Sequence, residues 1–318
     1  MPKYTPKNKA KLKNLIKNNK IYLGDIDTRK ITDMSKLFFN SKRKDFSGIE
    51  SWDTSNVKNM RAMFFGCSNF NQNISSWNVS NVVNMRQMFM WCNSFNQPLD
   101  AWDVSNVENM QEMFSDCESF NQHLNNWDVS NVEDMQGMFG CCRSFNKPLN
   151  SWNVSKVYDM SCMFYGCSNF NQNISSWNVS KVRYMAFMFY GCHSFNQPLD
   201  AWDVSNVYDM NCMFYGCSNF NQNISNWNVK NVRYMNFMFC GCRSFNQPLD
   251  TWDVSNACDM SFMLADCYNF EQSLYEWKIP IKTITDNMLL NCDKIKDFPA
   301  DWKESFEELR SGELCEKL

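Results

Sequence analysis

Tryptophan recurs every 25 residues along most of the chain, and this period is the feature that most constrains the fold. The series comprises Trp52, Trp77, Trp102, Trp127, Trp152, Trp177, Trp202, Trp227, Trp252, Trp277 and Trp302, and only Trp91 lies outside it. Most of these tryptophans are followed at constant distances by two Met, one Phe and one Cys. A constant period of about 20–50 residues is typical of a solenoid, whose units cannot bury a core alone and stack to share one.

Each unit is predicted to contain one short strand and one short helix. The segment Leu99–Val104 ends in apolar–polar alternation, which predicts a strand with Trp102 and Val104 inward. The segment Val107–Cys117 carries an apolar stripe at helical spacing, and Ser105 stands where an N-cap would lie. We therefore predict an α/β repeat solenoid with one short strand and one short helix per 25-residue coil.

The ends of the chain depart from the repeat, as the caps of a solenoid do. A Lys-rich segment with apolar Leu12, Leu15 and Ile16 predicts an N-terminal capping helix. The predicted domains are a capping helix in 1–22, a solenoid of about ten to eleven repeats in 23–295 and a capping helix in 296–318. The seven Lys of the first 20 residues fit either contact with an anionic surface or a solvated helix face, and the second is favoured.

Composition excludes several classes of function. The 318 residues are 44% hydrophobic with a net charge of -3, which fits an ordered core and lacks the basic excess of nucleic-acid binders. Only His123 and His193 occur, which disfavours a metal enzyme or a His-based acid–base catalyst. There is no apolar segment of signal-peptide or membrane-spanning length. We expect no cofactor, no metal, no nucleic-acid partner and no membrane insertion.

The sixteen Cys invite two interpretations. In a secreted chain they would suggest disulfides, whereas Cys is also a good small core residue. Ten of them occupy one inward position of the repeat, where every Cys has two equivalent neighbours, so reduced core packing is favoured. The Cys outside this position are expected to be exposed and reactive, namely Cys141, Cys162, Cys212, Cys240, Cys258 and Cys315.

Two polar series offer candidate binding residues. An Asp or Asn directly follows each Trp and is predicted on the exposed sheet face, where it either binds a partner or cations, or caps its own turn; the cap is favoured. The members are Asp53, Asn78, Asp103, Asp128, Asn153, Asn178, Asp203, Asn228 and Asp253. A second series of Asn-Gln pairs, such as Asn196-Gln197, is expected to satisfy backbone groups of neighbouring coils.

The least repetitive feature is an aromatic surface in the second half of the chain. The predicted helix surface is polar in the first full units and becomes aromatic from the fifth, close to Arg183 and Arg233. Such a surface is either the core of an interface or lateral packing between adjacent coils, and lateral packing is slightly favoured. Its candidate binding residues are Tyr158, Tyr165, Tyr184, Phe187, Tyr208, Tyr215, Tyr234 and Phe237.

The repeat resembles a known family. The unit W-[DN]-V-S-N-V-x-x-M-x-x-M-F-x-x-C-x-S-F-N-Q, with the lead-in segments Leu23–Thr28 and Ile31–Met34, resembles the BspA-type bacterial surface protein repeat over about 20–295. The resemblance implies a leucine-rich-repeat-like solenoid, display at the cell surface and adhesion to host or matrix proteins. The missing leader and the reduced Cys favour the cytoplasm instead.

These observations favour a binding function. We expect a non-enzymatic protein-binding solenoid, adhesin-like or scaffold, because the same groups repeat on an open surface and no unique catalytic pocket is predicted. The partner is expected to be a protein, and a homo-oligomer is also considered. The alternatives are a self-assembling structural protein that uses the aromatic surface, and an intracellular interaction module of a pathogen or virus.

Overall fold

A computed structural model describes residues 2–295 and 297–299, and the predicted C-terminal helix in 296–318 therefore lies almost wholly outside the described residues. The chain divides into two compact units, Met1–Val157 and Tyr158–Leu318. Each unit is built from stacked coils of 25 residues. The prediction of a repeat solenoid is thus confirmed at this coarse level, while a single solenoid domain over 23–295 stays a prediction.

The coils contain neither the predicted helix nor the predicted strand. Within the described residues the chain forms one α-helix, α1 (Lys9–Ile16), and two 3-10 helices, Leu23–Asp25 and Ile49–Ser51. The predicted strand at Leu99–Val104 has no ladder of strand pairing, and the predicted helix at Val107–Cys117 is a series of turns. Single-residue parallel bridges connect adjacent coils instead, seven residues after each Trp, as between Asn84 and Asn109.

Left-handed residues explain why the helix does not form. The residues ten and fourteen positions after the Trp have positive φ, for example Glu112 (54°) and Asp116 (61°). An α-helix requires negative φ at every residue. Equivalent rings of adjacent coils, such as Phe89 and Phe114, have centroids 5.6 Å apart, and a helix about 10 Å wide cannot stack at that spacing.

Backbone hydrogen bonds alternate between two directions along this turn segment. Every second N–H donates to a carbonyl of the next coil, and the N–H groups between them close turns within their own coil. This pattern satisfies buried backbone groups without a helix or a continuous strand. In one coil the bonds to the next are Met210 to Tyr234, Cys212 to Asn236, Phe214 to Met238 and Gly216 to Cys240, at 2.8–2.9 Å.

The core of each unit is a set of side-chain columns that run from coil to coil. The inward Trp, Val, Met, Phe and Cys positions are buried, and Trp102 and Val104 point inward as predicted. Phe rings stack nearly parallel between coils, as Phe189 does on Phe214 at 5.5 Å and 8°. Dense packing of this kind makes each coil depend on its neighbours for burial.

Two polar atoms of the core columns are used to join coils. The Trp202 Nε1–H donates to the carbonyl of Ile174 at 3.2 Å, and the Cys217 Sγ–H donates to the carbonyl of Phe189 at 2.9 Å. Equivalent bonds recur in both units, for example from Trp102. Because these carbonyls lie inside the stack, the Trp and Cys columns satisfy acceptors that water cannot reach. This explains the unusual abundance of both residue types.

The N-terminal cap is shorter than predicted and depends on one buried arginine. Helix α1 begins after the N-cap Asn8, and its Leu12 and Ile16 side chains are buried. Arg43 is 3% exposed, and its guanidinium donates to the carbonyl of Ile21 at 2.5 Å and to carbonyls of the α1 C-terminus and of Asn18 at 3.4–3.5 Å. It therefore anchors the chain that follows α1.

The cysteines behave as core thiols in the described part of the chain. Within 2–295 no two cysteines are joined by a disulfide, and the ten of the inward column are buried. Burial raises the pKa of Cys67 to about 12, and that of Cys292 to about 12. The expectation that the other cysteines are exposed is wrong for Cys212 and Cys240, which are buried; Cys315 lies outside the described residues.

Thiol labelling should reproduce this division. In the native protein at neutral pH, iodoacetamide should modify the half-buried Cys141, Cys162 and Cys258 first. Inward cysteines such as Cys217 should react only after unfolding, because reaction needs an exposed thiolate and burial raises the pKa of that thiol. Peptide mass spectrometry of the labelled protein measures this. Equal labelling rates for Cys217 and Cys258 in the native state would contradict the core assignment.

Candidate functional site

The Asp/Asn series after the Trp is exposed, but each side chain is engaged in its own turn. The Oδ1 atom accepts the N–H of the residue two positions on, as Asp203 does from Ser205 at 3.0 Å and Asn78 does from Ser80 at 3.0 Å. The sheet face predicted to carry this series is a row of such turns, and Ser105 donates to Asp103 rather than capping a helix. These contacts favour the turn-capping interpretation over partner binding.

Hydrogen bonds also shift the acidity of this series. The hydroxyl and then the N–H of the following Ser lower the pKa of four carboxyls below the ordinary 3.8, namely Asp53, Asp128, Asp203 and Asp253. A carboxyl whose pKa is lower in the folded state stabilises the fold at pH values above its unfolded-state pKa. This stabilisation is lost as the pH falls through the folded-state pKa. Since these side chains are exposed, the effect of each one is small.

Replacing these four Asp by Asn should therefore weaken the dependence of the melting temperature on pH below about pH 4. Asn accepts the same bond without titrating, as Asn228 does from Lys230. We expect Asp53→Asn, Asp128→Asn, Asp203→Asn and Asp253→Asn together to leave the melting temperature at pH 7 nearly unchanged. Below about pH 4 the variant should lose less stability than the wild type. Melting curves from pH 7 to pH 2 measure this, and identical acid limbs would contradict the assignment.

The Asn-Gln series joins coils, as expected. Asn196 Oδ1 accepts the N–H of Asn221 at 3.0 Å and the Nε2–H of Gln222 at 2.9 Å. The same arrangement recurs at Asn71 with Asn96. These side-chain amides bond to the neighbouring coil where backbone pairing between coils is missing. Both repeated polar series thus have structural roles. The remaining candidate site is the surface whose residues vary between coils.

That surface lies in the second unit, and we call it the aromatic face. It is not a helix surface but the outer side of the turn segments. Four of its tyrosines are markedly exposed: Tyr158 (45%), Tyr184 (41%), Tyr208 (39%) and Tyr234 (39%). The remaining predicted residues are half-buried, namely Tyr165, Phe187, Tyr215 and Phe237, and the face also includes Tyr190 and Phe262. Both interpretations of the face have support, because its inner part packs between coils and its outer part is open.

The inner part of the aromatic face is a column of stacked rings. Tyr190 stacks on Tyr165 at 4.7 Å and on Tyr215 at 4.6 Å, each within 12° of parallel. Phe237 stacks on Phe262 at 4.7 Å and 3°. Each such pair contributes about 0.5–1.5 kcal/mol beyond the area that it buries. The column gives the exposed tyrosines a rigid support, which is the lateral packing that the sequence favoured.

The outer part alternates between two coil types. The four coils that begin at Trp152, Trp177, Trp202 and Trp227 carry alternately Tyr-Asp and Arg-Tyr six and seven residues after the Trp, as in Tyr208-Asp209 followed by Arg233-Tyr234. The Arg233 guanidinium lies 5.9 Å from the Tyr208 ring centroid, and the Tyr234 ring meets the Tyr208 ring edge-on at 5.6 Å. The Tyr208 hydroxyl raises the pKa of Tyr234, and burial raises the pKa of Asp209. The outer part of the aromatic face thus exposes aromatic rings, hydroxyl groups and guanidinium cations side by side.

An open cleft of about 400 Å³ adjoins the stacked tyrosines. Gly216, Gly241, Tyr215, His193 and Arg243 are among its lining residues. The glycines fourteen residues after the Trp have φ near +70°, a conformation that glycine adopts without strain. The sequence interpretation missed this cleft, although the Gly series with a 25-residue period was its visible signal.

No group of three or more metal-binding side chains occurs among the described residues. In the same part of the chain, none of the helical segments has the length and apolarity that a bilayer crossing needs.

Comparison with protein-family models identifies one family for this chain. A family model described as "Mycoplasma protein of unknown function, DUF285" matches three overlapping segments, 9–127, 110–216 and 187–302. No curated protein matches the chain. A solved structure titled "Crystal structure of TLR13-ssRNA13 complex" aligns at 9% identity and a TM-score of 0.26, and covers 91% of this chain and 48% of that chain. This likeness is too low to support a fold or a ligand, so the BspA-type and leucine-rich-repeat assignments stay expectations.

Proposed function

Since the chain belongs to the DUF285 family, we propose that it is a non-enzymatic repeat scaffold that binds another protein through the aromatic face of its second unit. The observation that carries the proposal is the row of exposed tyrosines supported by stacked rings. Tyr and Arg dominate the residues whose truncation weakens protein interfaces most. An exposed aromatic surface of this extent also calls for a partner.

The rest of the surface supports the same conclusion. In the Asp/Asn series and the Asn-Gln series, Oδ1 atoms accept hydrogen bonds from their own turns and from neighbouring coils. The aromatic face, in contrast, presents Arg183 and Arg233 beside tyrosines with nearly half of their surface open. Tyr offers a large contact area at low entropic cost because it has few rotatable bonds. A protein surface is therefore the ligand class that we propose, and the adhesin-like form stays an expectation of the family resemblance.

Capture experiments test the proposal. The purified wild type is immobilised beside the variant Tyr184→Ser/Tyr234→Ser and offered to a lysate of the source organism or of its host. We expect the variant to lose the captured protein, because removing two central tyrosines lowers affinity by at least tenfold. Its melting temperature should change little, since both side chains lie on the outer part of the face.

A matched control is available in the same unit. Tyr268 and Tyr275 are also exposed but belong to other repeat positions, so the variant Tyr268→Ser/Tyr275→Ser should retain the partner. Equal capture by the wild type and both variants would rule out the aromatic face as the binding surface. Unfolding of the Tyr184→Ser/Tyr234→Ser variant would instead assign these tyrosines to lateral packing.

A further inference from the structure

Basic side chains concentrate at the N-terminal end of the first unit. Residues 1–50 contain thirteen Lys and Arg against five Asp and Glu, a net charge of +8, whereas the whole chain carries -3. From this asymmetry we propose that the N-terminal cap is a second binding surface, and that it attaches the protein to an anionic lipid bilayer. Clusters of four to eight basic side chains bind acidic lipid headgroups in this way.

Some of these basic side chains form ion pairs within the N-terminal segment, and most of them are exposed to solvent. Lys3 pairs with Asp25 at 2.9 Å, and Lys9 pairs with Asp33 at 3.0 Å, so these two lysines fasten α1 and its lead-in to the first coil. Nine further lysines of 1–50 are exposed, and within the described residues none of them forms an ion pair. They are Lys7, Lys11, Lys13, Lys17, Lys20, Lys30, Lys36, Lys42 and Lys44.

Arg43 connects the lysines in and after α1 with the lysines that flank Arg43 itself. Its guanidinium reaches the carbonyls of Ile16, Asn18 and Ile21, so the chain around Arg43 lies against the chain that follows α1. Lys42 and Lys44 flank Arg43 in the sequence, and both are exposed. The lysines of α1 and those beside Arg43 therefore belong to one basic surface, which includes 11–20 and 42–44. The segments 11–20 and 42–44 contain no Asp or Glu, and the exposed Asp45 is the carboxylate that adjoins them in the sequence.

The chemistry of these cations favours lipid headgroups over nucleic acid. The open cations are ammonium groups, which attract anions as point charges without a fixed geometry. The two guanidinium groups of 1–50 are engaged, Arg29 with Asp27 and Arg43 with backbone carbonyls, so the bidentate contacts typical of base recognition are not offered. Tyr22 (52% exposed) lies in the same N-terminal segment, 1–50, and the amphipathic ring of tyrosine favours the headgroup region.

Vesicle sedimentation tests this proposal. Full-length protein is mixed with vesicles of phosphatidylcholine alone or of phosphatidylcholine with phosphatidylserine. We expect binding to the acidic vesicles alone, and its release as NaCl is raised, because screening weakens the attraction. In the variant Lys11→Gln/Lys13→Gln/Lys17→Gln/Lys20→Gln, the partition coefficient should fall about fivefold for each lysine removed near the surface.

A charge-matched variant separates local from global effects. Lys58→Gln/Lys181→Gln/Lys278→Gln/Lys282→Gln removes four exposed lysines outside the cap and should bind the acidic vesicles like the wild type. Equal loss in both variants, or equal binding to neutral vesicles, would overturn the proposal. Capture of a single-stranded DNA oligonucleotide without binding to acidic vesicles would also overturn it. Circular dichroism confirms that both variants are folded, and neither variant alters the aromatic face.

Discussion

Replacing Phe214 by Ala should lower the free energy of unfolding by about 3–5 kcal/mol, the usual cost of truncating a buried Phe. Phe214 is fully buried and lies at the centre of a ring cluster. Its ring centroid is 4.2 Å from that of Phe220, 5.5 Å from that of Phe189 and 5.6 Å from that of Phe239. The truncation leaves a cavity between coils. The neighbouring Phe rings cannot move to fill this cavity without losing their own stacking contacts. Urea unfolding followed by Trp fluorescence measures the loss.

A surface ring of the same unit provides the control. Phe237 is half-buried and stacks on Phe262 at 4.7 Å, so Phe237→Ala removes less buried area than Phe214→Ala and should cost less than about 3 kcal/mol. Losses of equal size in the two variants would show that the inner columns are not the main source of stability. A Phe214→Ala loss below about 1 kcal/mol would contradict the dense core that the stacking distances describe.

The second large effect is expected at Arg43. Truncation in Arg43→Ala removes the donors to the carbonyls of Ile21 and Asp45 and the weaker ones to the α1 end. Leaving buried acceptors without a donor costs about 1–3 kcal/mol for each group, so we expect a loss of about 2–4 kcal/mol confined to the N-terminal cap. Amide hydrogen exchange should accelerate in α1 and in the first coil, while the second unit keeps its protection.

Arg29 is the natural comparison for Arg43. It is largely exposed and pairs with Asp27 at 2.7 Å, and its guanidinium draws the pKa of that carboxyl to about 2. Exposed ion pairs contribute at most about 1 kcal/mol, so Arg29→Ala should leave exchange in α1 unchanged. If Arg29→Ala accelerated that exchange as much as Arg43→Ala, the anchoring role assigned to Arg43 would be wrong.

The 25-residue period was sufficient to predict the stacked coils and their inward positions. Trp, Val, Met, Phe and Cys recur at one register, and a residue that recurs at one register of a solenoid meets its own copy in the next coil. The burial of Trp102, Met113 and Cys117 follows directly from this reasoning. The Asn-Gln bonds between coils follow in the same way, because a turn inside a stack must satisfy its backbone groups.

The local conformation could not be predicted from the same pattern. Apolar residues at Val107, Met110, Met113 and Phe114 fit the spacing of a helix face, but they fit successive turns equally well. The decisive quantity is the distance between coils, which is 5.6 Å at the rings of Phe89 and Phe114 and too small for helices about 10 Å wide. Nothing in one repeat states that distance. The positive φ at Glu112 and Asp116 is its local consequence.

The candidate site was predicted only in part. Departures from the repeat located the aromatic face, because a residue that varies between coils is not required by the stack. The sequence did not reveal how the face divides. Tyr165, Tyr190 and Tyr215 share one repeat position and stack, whereas Tyr184 and Tyr234 occur in alternate coils and remain open. The role of Arg43 was not foreseen either, because a single Arg in a degenerate first coil has no periodic signal.

Photo-crosslinking tests binding through the aromatic face most directly. The photoreactive residue p-benzoylphenylalanine is placed at Tyr184 in the aromatic face or at Asn228 in the turn-capping series, and each protein is irradiated in the lysate. We predict that the residue at 184 forms an adduct with a different protein and that the residue at 228 forms none. An adduct from 228 alone would contradict the assignment of the binding surface. An adduct from 184 that contains two copies of this chain would contradict binding of another protein and identify self-assembly instead.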